Sequence, residues 1–235
     1  MVIEGVLWTG LNMLFGDPRS GKSILILQMI RAVTTGGKFL GRYQARQGRV
    51  LWLNLEDDLD VVQGRFAEMQ MPRAVVAHLD TVFRFPTWSV GGEAALRSYL
   101  NKLECRLVVI DTAAGLGLIG GGSPQKSAFR NDYDSLRGLK HLAREFNVAI
   151  LVLHHAAKVK NSNPILSVNG TTGLVAVTDS AMVIDVDKKG NRFLVIQDKR
   201  QSIRLGLRFH EEGLNLAKTE ISAKPRWDGR SLSQR

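Results

Sequence analysis

Residues 16–23 read Gly16-Asp17-Pro18-Arg19-Ser20-Gly21-Lys22-Ser23, matching the phosphate-loop pattern G-x-x-x-x-G-K-[ST] at every fixed position. The pattern has physical meaning only between a strand and a helix, because its glycines must let backbone N–H groups converge on an anion at a helix N-terminus. Both neighbours are present. Leu11-Asn12-Met13-Leu14-Phe15 is an apolar run bounded by Gly10 and Gly16, and Ile24 to Val33 is an apolar segment of helical length. Lys22 is then placed to reach the β and γ phosphates of a nucleotide, and Ser23 to offer its hydroxyl to Mg²⁺. Arg19 stands where such loops often carry glycine; a solvent-facing side chain is the simpler reading, a phosphate or subunit contact the alternative.

Working outward, three more apolar runs end in polar groups. Arg49-Val50-Leu51-Trp52-Leu53-Asn54-Leu55 stops at Glu56-Asp57-Asp58, Arg106-Leu107-Val108-Val109-Ile110 stops at Asp111, and Val148-Ala149-Ile150-Leu151-Val152-Leu153 stops at His154-His155. Short, branched, nearly unbroken apolar runs are strands buried on both faces. Between the last two, Leu136, Leu139, Leu142 and Ala143 within Tyr133–Phe146 keep the spacing of an amphipathic helix. Strands alternating with helices predict an α/β fold: right-handed βαβ units and a mostly parallel twisted sheet flanked by helices. Working residues of such sheets project from the carboxyl ends of the strands, where the phosphate loop, Glu56, Asp111 and His154 all fall. Later, Val183–Val186, the turn Lys188-Lys189-Gly190-Asn191 and Arg192–Gln197 predict a hairpin, with short strands at 203–209 and 214–216 extending the sheet in antiparallel fashion near the C-terminus. The expected organisation is one core over residues 1–217 and a basic, flexible tail over 218–235.

Each strand tip suggests a role. Asp111, after four apolar residues, fits the acid that organises Mg²⁺ in phosphate-loop ATPases; a turn cap beside Thr112 is the plainer alternative. Glu56 is the candidate base for an attacking water, with Asp57 and Asp58 as fallback choices or simple helix caps. A neutral imidazole at His154 or His155 suits a hydrogen bond to a γ-phosphate or its water. Adjacent strand residues point to opposite faces, so one of the two is structural. A single cysteine, Cys105, excludes an internal disulfide and leaves the histidines without partners for a metal site.

The 235 residues include 32 Lys plus Arg against 22 Asp plus Glu, a formal charge of +10. No apolar run is long enough to span a membrane and the start lacks a signal peptide; the expectation is a soluble, cytoplasmic protein with no membrane partner. Residues 1–111 carry 13 basic and 11 acidic side chains, and 112–235 carry 19 and 11, so the excess lies in the second half. There, Gly115–Ser127 and Ala156–Gly170 leave the site edge as glycine- and lysine-bearing loops. Lys126, Lys158 and Lys160 are candidate contacts for the backbone of a single-stranded nucleic acid, with ordinary surface loops as the alternative. Phe83, Phe85 and Trp88 would serve either base stacking or core packing.

Taken together, GDPRSGKS, VLWLNLEDD, LVVIDT, LVLHHAAK and the GTTGL segment leading to Asp179 resemble the RecA-like ATPases of the plasmid RepA-type hexameric helicase group, over roughly residues 5–210. The resemblance implies a RecA-like core that binds ATP and Mg²⁺ through Gly16 to Ile24. It makes Lys22 and Ser23 the phosphate and Mg²⁺ contacts, Glu56 the catalytic base, Asp111 the Mg²⁺-linked acid and His154 the γ-phosphate sensor. It also sends Lys199 and Arg200 to the ATP of a neighbouring subunit. Relatives space those two basic residues by one position; here they are adjacent. The chain starts almost at the core, without the appended helical segment that ring helicases commonly use. The resemblance implies a homo-oligomer, up to a hexameric ring, acting on single-stranded DNA or RNA. A recombinase-like or helicase-loader ATPase, or a nucleotide-gated regulatory module, is the alternative.

If the loop lysines line a nucleic-acid path, neutralising Lys158 and Lys160 together reduces the slope of log affinity against log salt by about 1.4, measured with a single-stranded oligonucleotide, and leaves ATP affinity unchanged. An unchanged slope returns both lysines to the solvated surface.

Overall fold

All seven residues of β1 (Gly10–Gly16) are buried, as an apolar run with a partner strand on each side requires. The computed structural model describes residues 1–118, 128–155, 157–158, 168–169, 172–198, 201–207, 209–210, 213–216 and 221–224. β1 runs into α1 (Lys22–Thr35), and a short hairpin of β2 (Lys38–Phe39) and β3 (Tyr43–Gln44) leads to β4 (Arg49–Asn54). Next come α2 (Leu59–Glu68), α3 (Arg73–Val76), β5 (Leu79–Val82), α4 (Gly92–Lys102), β6 (Cys105–Asp111), α5 (Ala128–Glu145) and β7 (Ala149–His155). β8 (Ala157–Lys158), β9 (Val168–Asn169) and α6 (Thr172–Val177) precede β10 (Ser180–Val186), β11 (Arg192–Asp198) and β12 (Ser202–Leu207). The last described elements are β13 (Phe209–His210), β14 (Gly213–Leu216) and β15 (Ile221–Lys224).

Nine strands form one sheet in the order β15-β12-β11-β10-β1-β7-β6-β4-β5. From β10 to β5 neighbours run parallel, and β11, β12 and β15 add antiparallel pairs at the other side. This is the mostly parallel sheet with an antiparallel extension that the sequence predicts. Four details differ. β10 is longer than the hairpin arm read from the sequence, because it also pairs with β1 from Asn12↔Ser180 to Gly16↔Ile184. β13 and β14 make their own two-stranded ladder and do not extend the main sheet. Ile221–Lys224, placed by the sequence in the tail, pairs with β12 as a strand. β5 was not read as a strand at all: four half-buried residues containing Asp80 carry too little apolar signal, and the Asp80 carboxylate accepts from Arg49 at 2.8 Å.

Two cores lie on the two faces of the sheet. One joins Leu14, Val50, Trp52, Leu107, Val109, Leu151 and Leu153 to the buried stripe of α1. The other joins Leu11, Met13, Phe15, Leu51, Leu53, Val108 and Ile110 to α4 and to Leu136, Leu139, Leu142 and Ala143 of α5. The two-residue period of each strand therefore assigns odd positions of β6 and β7 to the α1 face and even ones to the α5 face. Phe85 and Trp88 pack on the α5-side core and Phe83 on the other. At Gly138 of α5 an added Cβ would stand 2.6 Å from the Trp88 ring, so the indole approaches the helix where only glycine leaves room. No described helix is long and apolar enough to cross a membrane.

Asp179 organises the amino edge of the sheet, opposite the phosphate loop. Its Oδ2 accepts the Leu11 N–H at 3.0 Å, its own N–H donates to Leu11 O at 2.7 Å, and its Oδ1 meets Lys140 Nζ of α5 at 3.0 Å. One side chain thus ties β1, β10 and α5. Gly10 has φ +116° and a Cβ there would sit 2.7 Å from Asp179 Oδ2, so only glycine allows the approach. Asp179→Ala is expected to lower unfolding free energy by about 2 kcal/mol, measured in urea, and to leave nucleotide affinity unchanged because the contact lies at the far end of β1.

Candidate active site

The phosphate loop leaves β1 at Gly16 and enters α1 through Gly21, whose φ of 105° requires glycine. An added Cβ at Gly16 would stand 2.8 Å from Ser20 Oγ, which is why the first fixed position also tolerates no side chain. No acidic residue occupies the first turn of α1, so the positive end of its dipole is uncompensated. Lys22 is 5% exposed and folds back over the loop, donating from Nζ to Gly16 O at 2.8 Å and Asp17 O at 2.9 Å. Burial pushes its pKa down, against the opposing pull of Asp111, Glu56 and Asp17. Ser23 and Ile24 are half-buried on the first turn; Arg19, at φ 62°, is exposed as the plainer reading of it expected.

Asp111 ends β6 with 3% exposure. Burial, and then the nearby Glu56 and Asp57 carboxylates, push its pKa up to about 7, against the smaller opposing effect of Arg65 and Lys22. Odd strand parity puts it on the α1 face with Lys22. Asn54, its register partner on β4, is fully buried; its Oδ1 accepts the Asp57 N–H at 3.2 Å.

Glu56 follows β4 and is gripped at both carboxylate oxygens. Thr112 Oγ1 donates to Oε1 at 3.0 Å and the His155 imidazole meets Oε2 at 3.2 Å. His155, not His154, is therefore the histidine that the fold brings to Glu56. His154 lies on the other face, its ring edge-on to Phe15 at 6.0 Å and 81°, in the register pair Phe15↔His154. The sequence already implied that one histidine was structural; parity counted from Asp111 and the apolar strand positions would have chosen between them. Asp57 and Asp58 also part ways. Asp58 occupies the N-cap of α2 with extended backbone but no side-chain cap bond, whereas the Asp57 carboxylate pairs with Arg65.

Thr112, Asn54 and Arg65 had no role in the sequence reading. Their signal is positional: Thr112 follows the Mg²⁺ acid, Asn54 precedes the acidic triplet, and Arg65 stands two helical turns beyond Asp57. Lys126, Lys160, Lys199 and Arg200 lie outside the described residues. Lys158 is described only as backbone, in β8.

The residues fit a nucleotide with Mg²⁺. Ser20 Oγ and Asn54 Nδ2 are buried without a hydrogen-bond partner among the described residues, which is costly unless something else supplies one. The Glu56 and Asp57 carboxylates act on Asp111 more strongly than Arg65 and Lys22 do, and a cation bound at Asp111 would offset them. Ser23, on the first turn of α1, and Asp111 are the residues that would hold it.

The elevated Asp111 pKa has a stability consequence. Between an unfolded pKa near 3.9 and about 7, the folded protein binds a proton that the unfolded chain does not. Stability contributed by the protonated carboxyl is present below pH 4 and lost as pH rises to 7. Asp111→Asn removes this titration, so the variant gains on the nucleotide-free parent by a few kcal/mol, order of magnitude, between pH 4 and pH 8. Denaturant unfolding across that range measures it; a constant difference contradicts it. Stabilisation by Mg²⁺ plus nucleotide is lost in the same variant.

A family model described as "AAA domain" matches residues 1–161. No curated protein matches the chain by sequence. Among solved structures, a KaiC-like protein from the hyperthermophilic archaeon Pyrococcus horikoshii OT3 superimposes with a TM-score of 0.64 at 14% identity, over 95% of this chain and 94% of that one. At that identity the likeness concerns the fold, and it agrees with the central sheet described above. The chain belongs to the AAA domain family and has the RecA-like fold of phosphate-loop ATPases.

Proposed function

We propose that this protein is an ATP-hydrolysing motor that works on single-stranded nucleic acid as a homo-oligomer, in the manner of a replicative DNA helicase of a plasmid, phage or other mobile element. One observation carries the hydrolytic part: Lys22, Asp111, Glu56 and His155 reach the same face of the sheet from a helix start and three strand tips. The Lys22 ammonium, now bonded to its own loop carbonyls, has donors ready for phosphate oxygens. Loop N–H groups and Ser20 Oγ would orient the phosphates, and Ser23 and Asp111 would hold Mg²⁺. When bound, Mg²⁺ supplies charge neutralisation at the transferring phosphoryl group. Glu56 takes the proton of the attacking water at a carboxylate oxygen, and His155 fixes the other end of that carboxylate.

Coupling to a polymer rests on connectivity. The segments 115–127 and 156–170 come after the tips of β6 and β7 in the sequence and carry Lys126, Lys158 and Lys160, which is what supports a link between the site and a polymer. The resemblance adds Lys199 and Arg200 as contacts to a neighbouring copy's nucleotide, which makes hydrolysis slow in the isolated subunit.

Phosphate release with and without single-stranded DNA at low salt tests the coupling. Stimulation is expected, and its absence removes the motor reading. Lys22→Ala is expected to weaken nucleotide binding by about 10- to 100-fold, whereas Glu56→Gln binds ATP and lowers kcat by about 10²- to 10⁴-fold. Native mass measurement with ATP and an oligonucleotide separates the assemblies: a ring of about six copies supports the helicase, and a monomer that binds ATP without turnover supports a regulatory module.

A further inference from the structure

Glu56 has a side chain 42% exposed, on a loop just beyond a strand. A glutamate so exposed samples several rotamers, and holding one costs conformational entropy. Two groups restrain it, one on each oxygen, but they differ in rigidity. His155 is 41% exposed. Thr112 is 1% exposed and belongs to a turn closed on itself and tied to two other segments. Ala113 N–H donates to Leu153 O of β7 at 2.8 Å, Leu118 N–H to Ala113 O at 2.9 Å, and Trp88 N–H to Leu116 O at 2.8 Å. Leu116 and Leu118 are buried. The same Thr112 hydroxyl that donates to Glu56 accepts the Gly115 N–H at 3.4 Å. Gly115 in turn sits so close to the base loop that a Cβ there would be 2.8 Å from Leu55 Cβ. A threonine hydroxyl has one proton and two lone pairs, enough to serve both contacts at once.

We propose that Thr112 is a positioning residue for Glu56: its hydroxyl anchors the base to the Gly115–Leu118 turn, so that movement of the turn moves the base. The inference rests on the reading of Glu56 as the base and adds the route by which the glycine-rich segment reaches it. The competing account is a plain turn cap, in which Thr112 serves Gly115 alone and its bond to Glu56 has no consequence.

The full chain is tested as Thr112→Val, Thr112→Ser, Glu56→Gln and the double variant Thr112→Val with Glu56→Gln. Thr112→Val is expected to lower kcat about tenfold, the size of one lost hydrogen bond, with KM and the affinity for a fluorescent ATP analogue within twofold of the parent. Thr112→Ser keeps the hydroxyl and restores kcat. In the Glu56→Gln background Thr112→Val has little further effect, because residues that act as a unit are not additive. A full loss in that background, or no rescue by serine, overturns the proposal. A second measurement needs neither turnover nor a folded Thr112→Val: amide hydrogen exchange in the nucleotide-free protein. Glu56→Ala is expected to speed exchange across Gly115–Leu118 several-fold, and unchanged exchange leaves only the plain cap. Should Glu56→Gln leave kcat intact while Glu56→Ala loosens the turn, the base assignment falls and the tether survives; the two failures are therefore distinguishable.

Discussion

Two opposite charges, Lys22 and Asp111, are sealed at the carboxyl edge of the sheet, and burial pushes each toward its neutral form. Neither is adequately served by the protein alone. Lys22 spends its hydrogen bonds on the carbonyls of its own loop, and Asp111 faces two further carboxylates. A phosphate chain carrying a divalent ion would give the ammonium further acceptors and add a cation beside the carboxylates around Asp111. Burial, not the absence of counter-charges, is what sets both groups against their ionised forms.

That arrangement depends on side-chain parity. A strand residue reaches the α1 face only at every second position, and Asn54, Asp111 and His155 share that face because β4, β6 and β7 are parallel and in register. A one-residue slip of β7 would turn His155 away and bring His154 to the base. The register is held by apolar side chains on both faces, since a slip would exchange the two cores wholesale. Packing far from the chemistry therefore decides which histidine touches Glu56.

Some of this was legible in one dimension. The phosphate loop between β1 and α1, the three other strands with polar tips, and α5 follow from apolar runs and helical spacing, which are local properties. Elements with weak local signal were lost. β5 is short and polar, α4 exposes most of its surface, and β15 lies in a basic stretch where only its pairing with β12 reveals a strand. In the site, Lys22 and Ser23 stood out through the phosphate-loop pattern, and Glu56 and Asp111 because each closes an apolar run. Thr112, Asn54 and Arg65 did not, because their importance lies in partners 56, 3 and 8 residues away.

The sequence by itself determined which groups are present: a phosphate-loop pattern, acidic residues and paired histidines, each at the end of a strand that apolar composition buries. Only the tertiary structure decided how those groups meet. The choice of His155 over His154, the grip of Thr112 on Glu56 and the elevated pKa of Asp111 depend on register between strands and on the water excluded around them. Register and desolvation are properties of neighbours in space, and adjacency along the chain carries no record of either.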